Sequence, residues 1–216
     1  WLDGTYAHAA IKRFLSLKNK HKKLILGPWD HGGKYNIDQK SKTSFEHEAE
    51  MLKFFDFHLN NEKNGLDQEK AVHYYTLVEG KWKSAEQWPP HQNSLSFYLS
   101  DQGLGEKPSK KSGNSASKYI VDFRCNSGKW SRYRSLNGVE KKAALYSDWS
   151  KRKGRYLSFN TSVFSKDIEI TGHPLVEFFL ESSAADGNIF AYLEDIDKKG
   201  NAAYITEGML RLIHRN

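Results

Sequence analysis

Leu24-Ile25-Leu26-Gly27-Pro28-Trp29-Asp30-His31-Gly32-Gly33 is the stretch that decides the fold. Three apolar residues after a lysine pair predict a short buried strand. Gly27 and Pro28 end it, because proline has no N–H to give a ladder and biases the residue before it toward an extended shape. A histidine follows just past the strand's carboxyl end, and two glycines let the chain turn away from it. In open α/β sheets, ligands and reactions sit at the carboxyl ends of strands.

Upstream, Trp1-Leu2-Asp3-Gly4 leads into a run from Thr5 to Leu17 with apolar residues at Ala7, Ala10, Ile11, Phe14 and Leu15. That spacing predicts a helix with one buried face. The order is a turn with an acid, a helix, a strand, and a turn with a histidine. A helical crossover between parallel strands sets both strand ends on one edge of a sheet. Asp3 and His31, 28 residues apart in the chain, can meet there. A carboxylate beside an imidazole fixes the ring's tautomer and stabilises the imidazolium, which is the orienting half of a Ser-His-Asp triad. Taken singly, the two residues read more plainly as a turn acid and a surface ring. The chain has no Gly-x-Ser-x-Gly, the elbow that presents the nucleophile in α/β-hydrolases. In that fold the serine precedes the acid, and the histidine comes last. A chain that starts at the acid is therefore expected to lack the serine.

These motifs carry a resemblance. Trp1, Asp3 and Gly4, then Gly27, Pro28, Trp29 and His31, match the Gly-Trp-x-Asp-Gly and Gly-Pro-Trp-x-His motifs of the cocaine-esterase-like and X-prolyl dipeptidyl-peptidase family of serine hydrolases. The resemblance implies a triad acid at Asp3, a triad histidine at His31, and a nucleophile, oxyanion hole and helical cap upstream. Ile170-Thr171-Gly172-His173-Pro174, Tyr192-Leu193-Glu194-Asp195 and Thr206-Glu207-Gly208-Met209-Leu210-Arg211 are similar to the family's carboxyl-terminal jelly roll, while residues 100–155 match poorly. The implied organisation is the carboxyl-terminal end of an α/β-hydrolase domain at 1–70 and a jelly-roll β-sandwich at 71–216. The sandwich is expected to have further strands beyond Asn216.

The expected substrates are a small ester, an amide or a short peptide. Thr5, opening the helix after Asp3, is the candidate acyl-pocket contact, or else a plain polar residue of a first turn. Trp29 is expected to support the loop that positions the ring. No metal or cofactor is expected. His47 and His58 lie among Glu46, Glu48 and Glu50 but lack the His-Glu-x-x-His spacing of a zinc site, and read as surface and edge residues. Asp195-Ile196-Asp197-Lys198-Lys199-Gly200 opens like a calcium loop, but Lys199 and Thr206 stand where acids are needed, so a hairpin turn is expected.

Composition narrows the alternatives. The 216 residues are 38% hydrophobic and 13% aromatic, enough for a core. No apolar stretch is long enough to span a bilayer. The net charge of +7 is spread over loop runs at Lys18 to Lys23, Lys107 to Lys111 and Lys151 to Arg155, and does not form the basic and aromatic face that nucleic acid needs. Cys125 is the single cysteine, so no internal disulfide forms. The first residue is not methionine, and the compartment stays open between cytoplasmic and exported in a bacterial host. Homo-oligomerisation is also left open.

Farther along, Thr43 and Glu46 form a capping-box pattern that opens a helix through about Asn60, with Ala49, Leu52, Phe55 and Leu59 facing the sheet. From Ala71 the pattern turns to strands. Val72 to Val78 and Trp82 flank a predicted hairpin at Glu79-Gly80-Lys81. Further strands are predicted around Leu95 to Leu99, Tyr119 to Phe123, Tyr156 to Phe159, Asp167 to Thr171, Leu175 to Glu181, Asn188 to Glu194 and Ala203 to Ile213. A competing reading takes residues 70–216 as a non-catalytic β-sandwich that binds glycans or assembles, with Trp82, Trp130 and Trp149 as stacking platforms.

Overall fold

The structure, a computed structural model, describes residues 6–29, 45–91, 93–108, 116–126 and 154–214. Contacts divide the chain into two units; the described residues through His91 belong to the first and those from 93 onward to the second. Among the described residues strands outnumber helices.

The first unit contains helix α1 (Tyr6–Ser16), strand β1 (Leu24–Leu26), helix α2 (His47–Leu59), a 3-10 turn at Leu66–Gln68, and strands β2 (Val72–Thr76) and β3 (Lys81–Ala85). The sheet order is β1-β2-β3. β1 and β2 are parallel, with Leu24 opposite Val72 and Leu26 opposite Tyr74. β2 and β3 form the expected antiparallel hairpin. The stretch β1-α2-β2 is therefore a parallel crossover. The compositional change near residue 70 falls inside this connected sheet. Local pattern marks β2 as a strand, but not which distant strand it joins.

Leu24 and Leu26 point to one face, as the two-residue period of a strand requires, and both are buried. Ile11 and Phe14, one helical turn apart on α1, lie in the same core with Val72, Tyr74 and Trp88. Each such side chain contributes about 1.5–3 kcal/mol by leaving water. The end of α1 is closed by Lys22, whose Nζ donates to the Phe14 and Leu17 carbonyls at 2.6 and 2.7 Å and lies 4.6 Å from the Phe14 ring centre. A cation there meets carbonyls that have no partner within the helix.

Helix α2 corrects two expectations. Its N-cap is Glu46, which makes no side-chain cap hydrogen bond, and Thr43 lies outside the described residues. Its expected core face is not buried: Phe55 is 52% and Leu59 71% exposed. An apolar stripe shows which side of a helix would be covered, but covering needs a partner surface, and the described residues offer none. Polar ties hold α2 instead. Lys23 bonds Glu50 at 3.2 Å and also Glu69; Lys53 bonds Glu69; and Asn64 Nδ2 donates to the Lys53 carbonyl at 2.7 Å.

In the second unit, β4 (Tyr98–Ser100) pairs with β5 (Gly103–Gly105), and β6 (Asn188–Ile196) with β7 (Ala202–Arg211), both antiparallel. Leu104 N–H also donates to Asn160 O at 2.8 Å. The β6-β7 turn is the predicted hairpin: Asp197 Oδ1 accepts from the N–H groups of Lys199 and Asn201 at 2.8 and 2.9 Å. The β4 strand covers only the second half of the predicted Leu95 to Leu99 run. Tyr119 to Phe123, Tyr156 to Phe159, Asp167 to Thr171 and Leu175 to Glu181 form no ladder. Alternation gives a segment two faces, but a strand exists only where a neighbour's backbone meets it.

Candidate functional site

Asp3, Thr5 and His31 all lie outside the described residues, so the structure places none of the three. It does place the elements next to them. Helix α1 starts one residue after Thr5, and β1 ends at Leu26 on a parallel strand.

Past that strand end the chain is tightly held. Gly27 and Pro28 are buried. The Trp29 indole folds back over Gly27, so that a Cβ on Gly27 would lie 1.9 Å from a ring carbon. On Trp29 stand Phe45 at 4.8 Å, His47 at 4.4 Å and Trp82 of β3 at 5.8 Å between ring centres. Phe45 stacks on Trp82 at 5.2 Å, and Tyr75 meets Trp82 edge-on at 5.5 Å. Trp29 is thus packed within an aromatic cluster, while the loop it was expected to support lies outside the described residues. Two other expectations change. Trp82 is half-buried in this cluster and is no free sugar platform, while Trp130 and Trp149 lie outside the described residues. His47 is not a surface residue either: its Nε2 is shut from water without a hydrogen-bond partner. In the sequence, Phe45 two residues before His47 is the sign of this packing, while Glu46, Glu48 and Glu50 give the same stretch a polar look.

Beside β1, Glu69 accepts from Lys23 and Lys53, and His73 Nε2 stands 3.8 Å from it. The His73 ring N–H donates to the Lys70 carbonyl at 3.0 Å, which puts the proton on Nε2. Burial pushes Glu69 up, but the two lysine hydrogen bonds outweigh it and hold the carboxyl below its usual value. Burial, followed by the Lys23 charge, holds His73 below its usual value against Glu69 and Glu50. This network ties elements together.

In the second unit a shallow groove lies between residues 118–124 and 154–157. Its carboxylate, Asp122, is committed to Arg124 at 2.9 Å, and that hydrogen bond pulls it down to about 2. Among the described residues no group of His, Cys, Asp and Glu has metal-site geometry, and no helix is long and apolar enough to cross a membrane.

Comparison with known sequences adds the wider setting. The family model of the X-Pro dipeptidyl-peptidase C-terminal non-catalytic domain matches residues 64–216. The chain is 41% identical over 218 residues to a Mycobacterium bovis protein that bears a serine esterase name, covering all of this chain and 35% of that one. A Mycobacterium tuberculosis protein of the same naming matches equally. Identity to the cocaine esterase of a Rhodococcus species is 26% over 236 residues, covering all of this chain and 40% of that one. The chain thus spans 35 to 40% of the length of these curated relatives.

Proposed function

The chain belongs to the X-Pro dipeptidyl-peptidase C-terminal domain family, and from that premise we propose that it is the carboxyl-terminal part of a serine hydrolase acting on esters. Asp3 and His31 are two members of its triad, and the serine lies upstream. The α/β-hydrolase end expected at 1–70 runs on through β3, because β2 and β3 join the sheet of β1, and the jelly-roll sandwich follows it.

One observation carries the reading. The stretch leading to His31 leaves the carboxyl end of β1, a strand in parallel pairing, where α/β folds put their chemistry. Two others support it. The family description is of a non-catalytic domain, but its match begins at residue 64, after both Asp3 and His31. The named relatives are esterases, which favours an ester over a proline peptide.

In the proposed reaction the serine oxygen attacks the ester carbonyl. His31 takes the serine's proton and passes it to the departing alcohol. Asp3 stays ionised and holds the ring in the tautomer that can accept. Water then releases the acyl group by the same route.

The test is Asp3→Asn in the protein with its upstream sequence. Turnover of a simple ester falls by about ten-thousand-fold, with the unfolding midpoint little changed. Near-normal turnover removes Asp3 from the triad. The 216-residue chain alone has no nucleophile elbow, so it neither turns over ester nor reacts with a fluorophosphonate. Turnover by that chain contradicts the proposal.

A further inference from the structure

We propose that helix α2 is a detachable element: a chain of alternating charges latches it to the edge of the sheet where β1 and β2 begin, and salt or acid frees it while the sheet stays folded. The two strands start side by side, with Leu24 opposite Val72, and the Leu24 N–H donates to the Ala71 carbonyl at 2.8 Å. Lys23 leads into β1 and Glu69 leads into β2. From α2 come Glu50 and Lys53, three residues apart and so on one face of the helix. The charges link in the order Glu50, Lys23, Glu69, Lys53, the first contact at 3.2 Å. Both ends of that chain belong to α2, and both middle members to the sheet edge. The titratable groups that face Glu69 are Lys23, Lys53 and His73 of β2, whose Nε2 stands 3.8 Å away.

Apolar burial does not hold α2 as it holds α1. The buried core takes Ile11 and Phe14 from α1 and no residue from α2. No side chain of α2 is buried, and Met51, Leu52, Phe55 and Leu59 are each more than half exposed. Among the described residues, ring contacts reach α2 from outside at its two ends, where His47 meets Trp29 at 4.4 Å and His58 meets His21 at 5.7 Å. Asn64 Nδ2 holds the Lys53 carbonyl at 2.7 Å, a tie within the stretch that follows α2. Salt weakens ion pairs that water can reach and leaves apolar burial in place. Acid acts in the same direction. Burial raises the Glu69 carboxyl, but the hydrogen bonds from Lys23 and Lys53 outweigh it and hold the carboxyl below its ordinary value of 4.5. Its contribution is therefore complete above that value and is lost as pH falls.

The experiment is native-state hydrogen exchange on the protein with its upstream sequence, in wild type, Glu69→Gln and Glu50→Gln. In wild type at low salt, peptides within 47–59 exchange at least about tenfold faster than those of β2 and β3, with a weaker dependence on denaturant. Sodium chloride at about 1 M, where the screening length is about 3 Å, quickens α2 by about fivefold. Glu69→Gln at low salt quickens it by a similar factor and responds to salt less than wild type does. Lowering the pH from about 7 to about 4 reduces α2 protection, corrected for the intrinsic rate, while β2 and β3 stay protected. Glu50→Gln breaks one contact of the latch and carries the test if Glu69→Gln unfolds. One rate and one denaturant slope shared by α2 and the sheet overturn the detachment. A separate opening of α2 that ignores salt, acid and both substitutions overturns the latch.

Discussion

Gly27 was legible as a turn former, but its larger constraint is not in the sequence. Its missing side chain is the bed on which Trp29 lies, and a Cβ would meet the ring at 1.9 Å. Gly27→Ala must displace a ring packed against Phe45, His47 and Trp82, which costs about 1–3 kcal/mol by the usual penalty for overpacking. Urea unfolding of the variant measures this, and an unchanged midpoint contradicts the packing described. His73 and Glu69 set a pH dependence. Both have folded-state values below their ordinary ones of 6.5 and 4.5. The folded chain then holds fewer protons than the unfolded one, and stability rises with pH. The His73 contribution is complete above 6.5 and is lost as pH falls below it; the Glu69 contribution is complete above 4.5 and is lost as pH falls further. Urea midpoints measured from neutral to acid pH fall in that order, and His73→Gln removes the upper part of the slope. A midpoint independent of pH refutes this account of the network.

Elements held by near neighbours were the ones the sequence announced. Helix α1 shows its face through Ile11 and Phe14, and the hairpins β2-β3 and β6-β7 show theirs through a turn between alternating runs. The parallel join of β1 to β2 was not announced, because its residues are far apart in the chain. Helix α2 was announced as a helix, but its apolar stripe gave no sign of the ties through Lys23, Glu50, Lys53 and Glu69 that hold it. Glu69→Gln leaves two ammonium groups facing a neutral amide. Because the cluster is partly wet, the loss of stability is about 1 kcal/mol, and it shrinks in high salt. At the β6-β7 turn, Gly200 sits at φ +82° with open space around it. Gly200→Ala there costs about 1 kcal/mol through backbone strain alone. Denaturant melts of the two variants separate the effects, since only the first responds to salt.

On the scale of the whole molecule, the second unit leaves large apolar side chains open among its described residues. Phe123 is 90%, Val163 94% and Leu175 81% exposed. Exposed apolar patches of this kind are uncommon in soluble monomers. The 216-residue chain by itself therefore binds a hydrophobic dye such as ANS strongly, and weak dye binding contradicts this account of its surface. The candidate pair was readable only as a spacing of motifs, since Asp3 and His31 lie outside the described residues. The most direct test is the separation of the Asp3 carboxylate from the His31 ring in an experimental structure of the protein with its upstream sequence. The account predicts an oxygen-to-nitrogen distance of about 2.6–3.2 Å; two well-ordered side chains held beyond hydrogen-bond reach would contradict it.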